Sequence, residues 1–205
     1  LLQRAIDGMV RSLDPYSRYV PPREALDKGA SLLGLPYPGG PSIEQAAAAG
    51  RRDAVDLPRT LLGADSLDFS FSGLKSALLY TLKPQQSSAP AEKPEGRRLA
   101  DLAASYQEAV VDVLVTKLRR AADRLPVHSL CLGGGVAKNR RLRERLAQDP
   151  VLRALRLVLP PLALCSDNGA MIAGLAHIRW RKGERDPLEL DAIATPQAGG
   201  KAKRR

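Results

Sequence analysis

Residues 130–139 read Leu130-Cys131-Leu132-Gly133-Gly134-Gly135-Val136-Ala137-Lys138-Asn139, an apolar run that breaks into three glycines and then into a helical pattern. The segment from Val127 to Leu132 has strand length and lies between Pro126 and the glycines, which predicts a buried strand. Three glycines permit positive φ and carry no Cβ, so their backbone N–H groups can approach a ligand closely. Ala137 to Gln148 predicts a helix whose first N–H groups face back toward the loop, an arrangement that attracts phosphate or carboxylate. The stretch holds neither G-x-G-x-x-G nor G-K-[ST], so it matches no dinucleotide or P-loop fingerprint. A tight βα turn and a nucleotide cradle both fit it. Asn139 likewise admits two roles, a helix cap or an amide that pairs with a hydroxylated ligand.

The pattern repeats downstream. Leu155 to Leu159 predicts a strand closed by Pro160-Pro161. Leu162 to Cys165 is a short apolar run that delivers Ser166-Asp167-Asn168-Gly169 to a helix from Ala170 to Arg181. On spacing Asp167 is preferred as that helix's cap, while an acidic side chain at such a junction equally suits a metal or a metal-bound phosphate.

Upstream, Asp68 to Ser72 alternates polar and aromatic residues as a half-buried strand does, before Gly73-Leu74-Lys75 opens another helix. Leu99 to Leu125 is the best helix in the chain, and Lys117, Arg119 and Arg120 suit its C-terminal dipole. Glu24 to Leu35 predicts a helix ended by Gly34. Pro36 to Pro41 predicts a rigid non-helical turn, and Ser42 to Gly50 a helix capped by Ser42 with Glu44 in its first turn. Leu1 to Tyr19 reads as an amphipathic helix. Residues 84–96 predict a mobile surface loop, and residues 184–205 a basic, disordered tail.

Composition bounds the function classes. The 205 residues are 44% hydrophobic, enough for a sizeable core, but only 4% aromatic, so stacking platforms for single-stranded nucleic acid are not evident. Thirty-two Lys and Arg against 22 Asp and Glu leave a net charge of +10, which favours an anionic partner, nucleic acid first. Cys131 and Cys165 sit in apolar runs and read as reduced, buried thiols, consistent with a cytoplasmic protein. No stretch approaches the ~18 apolar residues of a membrane span, and no signal peptide is visible. His128 and His177 lack metal-ligand spacing and read as structural. Ser72 lacks a G-x-S-x-G elbow.

Five blocks, in order, carry a family resemblance: Glu24-Ala25-Leu26-Asp27-Lys28; Leu32-Leu33-Gly34-Leu35-Pro36-Tyr37-Pro38-Gly39-Gly40-Pro41; Asp68-Phe69-Ser70-Phe71-Ser72-Gly73-Leu74-Lys75; Gly134-Gly135-Val136-Ala137-Lys138-Asn139; and Cys165-Ser166-Asp167-Asn168-Gly169-Ala170-Met171-Ile172-Ala173. They resemble the tRNA N6-adenosine threonylcarbamoyltransferase family, once described as glycoproteases, over residues 23–183. The resemblance implies an α/β chain of the actin-like, sugar-kinase-like ATPase fold, built of RNase-H-like lobes. It implies transfer of a threonylcarbamoyl group from its adenylate to N6 of adenosine 37 in tRNAs reading codons that begin with A. It also implies that Asp27, Gly40 and Asn139 hold the adenylate, assisted by Glu44, that the loop Gly133, Gly134 and Gly135 faces the nucleotide, and that Asp167 ligates iron or zinc. Protein partners of the threonylcarbamoyladenosine synthesis complex are implied with it.

The departures set further expectations. The family's metal-binding histidine pair and its first glycine-containing ligand loop have no counterpart here. The chain is therefore expected to carry mainly the second lobe, with the N-terminal lobe largely missing and little transferase activity alone. Residues 1–22 instead resemble the helix before the PDZ domain of carboxyl-terminal processing proteases. The alternatives are a non-catalytic nucleotide- or tRNA-binding module and, third, a metallo- or serine peptidase.

Overall fold

The computed structural model describes residues 22–61, 63, 65–83 and 93–187. The helix expected from Leu1 to Tyr19, residues 84–92 of the expected loop and residues 188–205 of the expected tail lie outside the described residues.

Two helices open the described chain, α1 (Pro22–Leu32) and α2 (Gly39–Ala47), and the turn between them includes Gly34 at φ +73°. After an irregular segment come α3 (Ser72–Leu82) and the long α4 (Gly96–Arg124). Strand β1 (Ser129–Cys131), a 3-10 turn (Gly135–Lys138), helix α5 (Arg140–Gln148) and strand β2 (Arg156–Val158) then form a βαβ crossover. The two strands are parallel, pairing Ser129 with Arg156, Leu130 with Leu157 and Cys131 with Val158. Helix α6 (Gly169–Arg181) follows. The architecture is α/β. The chain divides into two compact units, one ending at Ser166 and the other beginning at Asp167.

In the first unit the core is mainly helical. Leu26, Leu33, Ile43, Leu74, Leu78, Leu102, Tyr106, Val110, Val113, Leu142 and Leu146 are buried together. Each fully buried large apolar side chain contributes about 1.5–3 kcal/mol relative to exposure. Tyr106 also donates its hydroxyl to Ala25 O at 2.8 Å, fixing α1 against α4. Burial pushes the Tyr106 phenol above its ordinary range.

Several expectations are corrected. Asp68 to Ser72 forms no strand: Phe69 and Phe71 stack at 6.4 Å and turn toward the core, and α3 begins at Ser72. Pro41 lies inside α2, because the N–H that proline lacks needs no intrahelical acceptor in a helix's first turn. Ser42 is not a cap. It is the fourth residue of α2 and donates to Pro36 O at 2.7 Å. The strand read as buried is half open: Leu130 and Leu157 lean on the core, while Ser129, Cys131, Arg156 and Val158 face outward and are exposed. Cys131 is therefore exposed, and only Cys165 is buried. His128 precedes β1 and is exposed, rather than lying inside the strand.

The basic end of α4 does more than match a helix dipole. Lys117 donates to Leu61 O and Ser66 O at 2.5 and 2.6 Å, Arg120 to Leu61 O and Gly63 O at 3.1 Å, and Arg124 to Asp65 O. Burial first, and Arg120 next, lower the Lys117 ammonium below its ordinary value. In the second unit, no residue of α6 is buried, and Met171, Ile172, Leu175, Ile178 and Trp180 are 53–63% exposed.

Candidate functional site

Helix α2 gathers four of the residues singled out in the sequence. At its start, Asp27 on α1 accepts from the Gly39 N–H at 2.8 Å, so a side chain from α1 satisfies one of the unpaired donors of the helix. The fit is tight: a Cβ at Gly39 falls 2.5 Å from Asp27 Cα. Gly40 is different. A Cβ there meets only Leu26 Cδ1 at 3.8 Å, so packing within the chain does not demand glycine at that position. Further along α2, Glu44 Oε1 accepts from the Arg140 N–H at 2.8 Å and holds the start of α5.

Asn139 sits at that junction, 7% exposed. Its Oδ1 accepts from the Leu142 N–H at 2.9 Å, which makes it the N-cap of α5, and its Nδ2 donates to Gln107 Oε1 at 2.9 Å. The capping role read from the sequence is realised, and both ends of the amide are engaged. The helix expected from Ala137 is in fact a 3-10 turn, a break at Asn139, and then α5. Two first-turn N–H groups of α5 are thus taken by Glu44 and Asn139.

Among the three loop glycines, Gly134 alone adopts positive φ, at +78°. A Cβ at Gly133, Gly134 or Gly135 meets nothing within 4 Å, so this backbone borders open space. The 3-10 turn that follows packs near α1, which brings the glycine loop toward the element carrying Asp27. A cleft of about 430 Å³ opens between α2, α4 and α5, lined by Glu44, Gln45, Arg52, Gln107, Arg140 and Arg141. Arg141, one of its lining residues, donates from Nε and Nη2 to Glu108 at 2.7 and 2.8 Å, and Glu108 also accepts from Arg145. Burial alone raises the Glu108 carboxyl, and Arg141 and Arg145 more than offset this, holding it below its ordinary value.

The family model for tRNA N6-adenosine threonylcarbamoyltransferase matches residues 19–174. The chain belongs to this family. It is 49% identical over 172 residues to the tRNA N6-adenosine threonylcarbamoyltransferase of Magnetococcus marinus, covering 83% of this chain and 47% of that relative. A relative of the same name from Bacillus thuringiensis (strain Al Hakam) is 49% identical over 170 residues, 82% of this chain and 48% of its own. One from Desulfitobacterium hafniense (strain Y51) is also 49% identical over 170 residues, with 83% and 48% covered. The chain spans about half the length of the curated relatives it matches.

Within the family segment, Asp167 opens the second compact unit, and its side chain is exposed. The cap expected of it belongs instead to Asn168, whose Oδ1 accepts from the Met171 N–H at 2.9 Å. The iron or zinc implied by the resemblance finds no matching donor set: among the described residues no three His, Cys, Asp or Glu side chains come together to hold a metal ion. One carboxylate does not fit such an ion, for which three or more protein ligands are usual.

Sequence reading missed Gln107 and Glu108. The signal was there, because two polar residues interrupt an otherwise apolar helical run between Tyr106 and Ala109. Buried polar groups require partners, and these two found Asn139 and the α5 arginines.

Proposed function

We propose that this chain supplies the adenylate-holding wall of a tRNA N6-adenosine threonylcarbamoyltransferase, built on the actin-like, RNase-H-like fold with the second lobe as its main part. The threonylcarbamoyl-adenylate lies along Asp27, Gly40, Glu44 and the turn Gly133–Gly135, with Asn139 holding the start of α5 beneath them. In the transfer, N6 of adenosine 37 in a tRNA reading codons that begin with A attacks the carbamoyl carbon. The bond to the phosphate oxygen breaks, AMP leaves, and the amine loses its proton.

The observation that carries this reading is that Asp27 holds the start of α2 at the Gly39 N–H while Glu44 of the same helix and Asn139 together hold the start of α5, beside the glycine turn Gly133–Gly135 whose backbone borders open space. Backbone N–H groups unobstructed by Cβ suit phosphate and ribose oxygens. The residues of this chain bind and orient the adenylate. No step is routed through a metal, because the described residues do not form a site for one. Transferase activity of the chain alone is expected to be low. The rest of the reaction is assigned to the portion of the relatives' length that this chain does not span, with partner proteins of the synthesis complex, in the cytoplasm.

The test is titration of the purified chain with AMP and with threonylcarbamoyl-adenylate by calorimetry, comparing wild type with Gly40→Ala. The expected result is adenylate binding that weakens in Gly40→Ala while the melting temperature stays unchanged, since the added methyl meets only Leu26. Absence of adenylate binding in the wild type overturns the reading. Adenylate binding without turnover, even when the missing portion of a relative is supplied, favours the non-catalytic binding module.

A further inference from the structure

We infer that Arg143 is a positioning residue that sets the conformation of the glycine turn; the functional half of this inference rests on the adenylate reading above. Its guanidinium donates to Ala137 O at 2.6 Å, to Pro160 O at 2.7 Å and to Cys165 Sγ at 3.3 Å. Ala137 belongs to the 3-10 turn that follows the glycines, Pro160 to the exit of β2, and Cys165 to the end of the next short turn. One planar group thus ties the corner after β1 to two points on the chain leaving β2.

The turn needs such a tie. A Cβ at any of its three glycines meets no atom within 4 Å, so no packed side chain confines that backbone, and glycine has the most conformational freedom to lose. What holds it is hydrogen bonding: Ala137 N–H to Gly134 O and Asn139 N–H to Val136 O, each at 3.0 Å, the Asn139 cap, and Arg143 from outside. Arg141 and Arg145 turn instead toward Glu108 on α4, which leaves Arg143 as the α5 arginine that grips the turn. Lys138, which donates to Ser166 Oγ at 2.9 Å, makes a second, weaker tie between the same two stretches. The role suits arginine and not lysine, because three acceptors in different directions need a rigid fork of donors, where an ammonium on a flexible stem is a point charge.

The experiment uses the whole chain as wild type, Arg143→Ala and Arg143→Lys. Amide hydrogen exchange is read at Ala137 and Asn139, and AMP affinity is measured by calorimetry with and without millimolar guanidinium. The expected result is exchange about tenfold faster at those two amides in both variants, with α4 amides unchanged, and AMP affinity about tenfold weaker. Guanidinium should restore both quantities in Arg143→Ala, where the slot is vacant, and not in Arg143→Lys, where the lysine stem fills it. That rescue is a readout that general destabilisation does not produce. Unchanged exchange at Ala137 and Asn139 in the two variants overturns the inference. So does faster exchange with AMP affinity intact, which would make the arginine merely structural. If the wild type takes up no AMP, the adenylate reading falls, and the exchange data alone decide whether Arg143 holds the turn.

Discussion

Replacing Asn139 by Ala removes two interactions at once, and their sum can be worked out. Loss of the N-cap on Leu142 costs about 1 kcal/mol. The second loss leaves Gln107 Oε1 buried without its donor, a further cost of about 1–2 kcal/mol. The expected destabilisation is therefore about 2–3 kcal/mol. With a urea m-value of about 2 kcal/mol/M, the unfolding midpoint should drop by roughly 1–1.5 M, read by circular dichroism at unchanged m. Asn139→Ser separates the two parts, because a serine hydroxyl can still cap α5 but does not reach Gln107. It should recover about 1 kcal/mol of the loss. An Ala variant within about 0.5 kcal/mol of wild type would refute the reasoning, since surface changes without structural consequence fall in that range.

Three further outcomes are expected. Glu108→Gln at neutral pH should cost about 2 kcal/mol, because it removes charge-assisted hydrogen bonds from both arginines and leaves Arg141 with only Glu144 and Arg145 with only Asp112. Since the folded Glu108 carboxyl lies below its ordinary 4.5, its contribution is present above that pH and is lost as pH falls through the folded value; pH-dependent denaturation should show that loss in wild type and less of it in the variant. Gly134→Ala should cost about 1–3 kcal/mol, because φ +78° with ψ 175° is backbone that essentially only glycine adopts, while Gly133→Ala and Gly135→Ala change the melting temperature little. The exposed apolar residues of α6 should bind a hydrophobic dye such as ANS, and Ile172→Glu with Leu175→Glu should lower that fluorescence.

Much of the fold was legible because it rests on long periodic runs. The helix read from Leu99 to Leu125 is α4, and the apolar–glycine–helical order around Gly133–Gly135 announced β1, the turn and α5, while the parallel pairing of β1 with β2 came only with the structure. The failures have specific causes. Period-two alternation at Asp68 to Ser72 reports only that Phe69 and Phe71 face one way, which an extended segment satisfies without a partner strand. Asp167 and Asn168 are both competent caps, and a one-residue shift in where α6 begins decided between them. The cap at Asn139 could be read from its place before a helical run. The division of labour in Arg140-Arg141-Leu142-Arg143-Glu144-Arg145 could not, because which arginine turns toward α4 and which toward the glycine turn depends on the packing of α5.

The grip of Lys117, Arg120 and Arg124 on the carbonyls of Leu61, Gly63, Asp65 and Ser66 changes what the formal charge of this protein means. A cation held on its own backbone carbonyls is not free to contact phosphate, and each phosphate that a protein does neutralise frees counterions from the nucleic acid and contributes about 0.9 to the salt slope on a duplex. The ionic-strength dependence of any RNA complex should accordingly lack the share that these three side chains would have added to it as phosphate contacts.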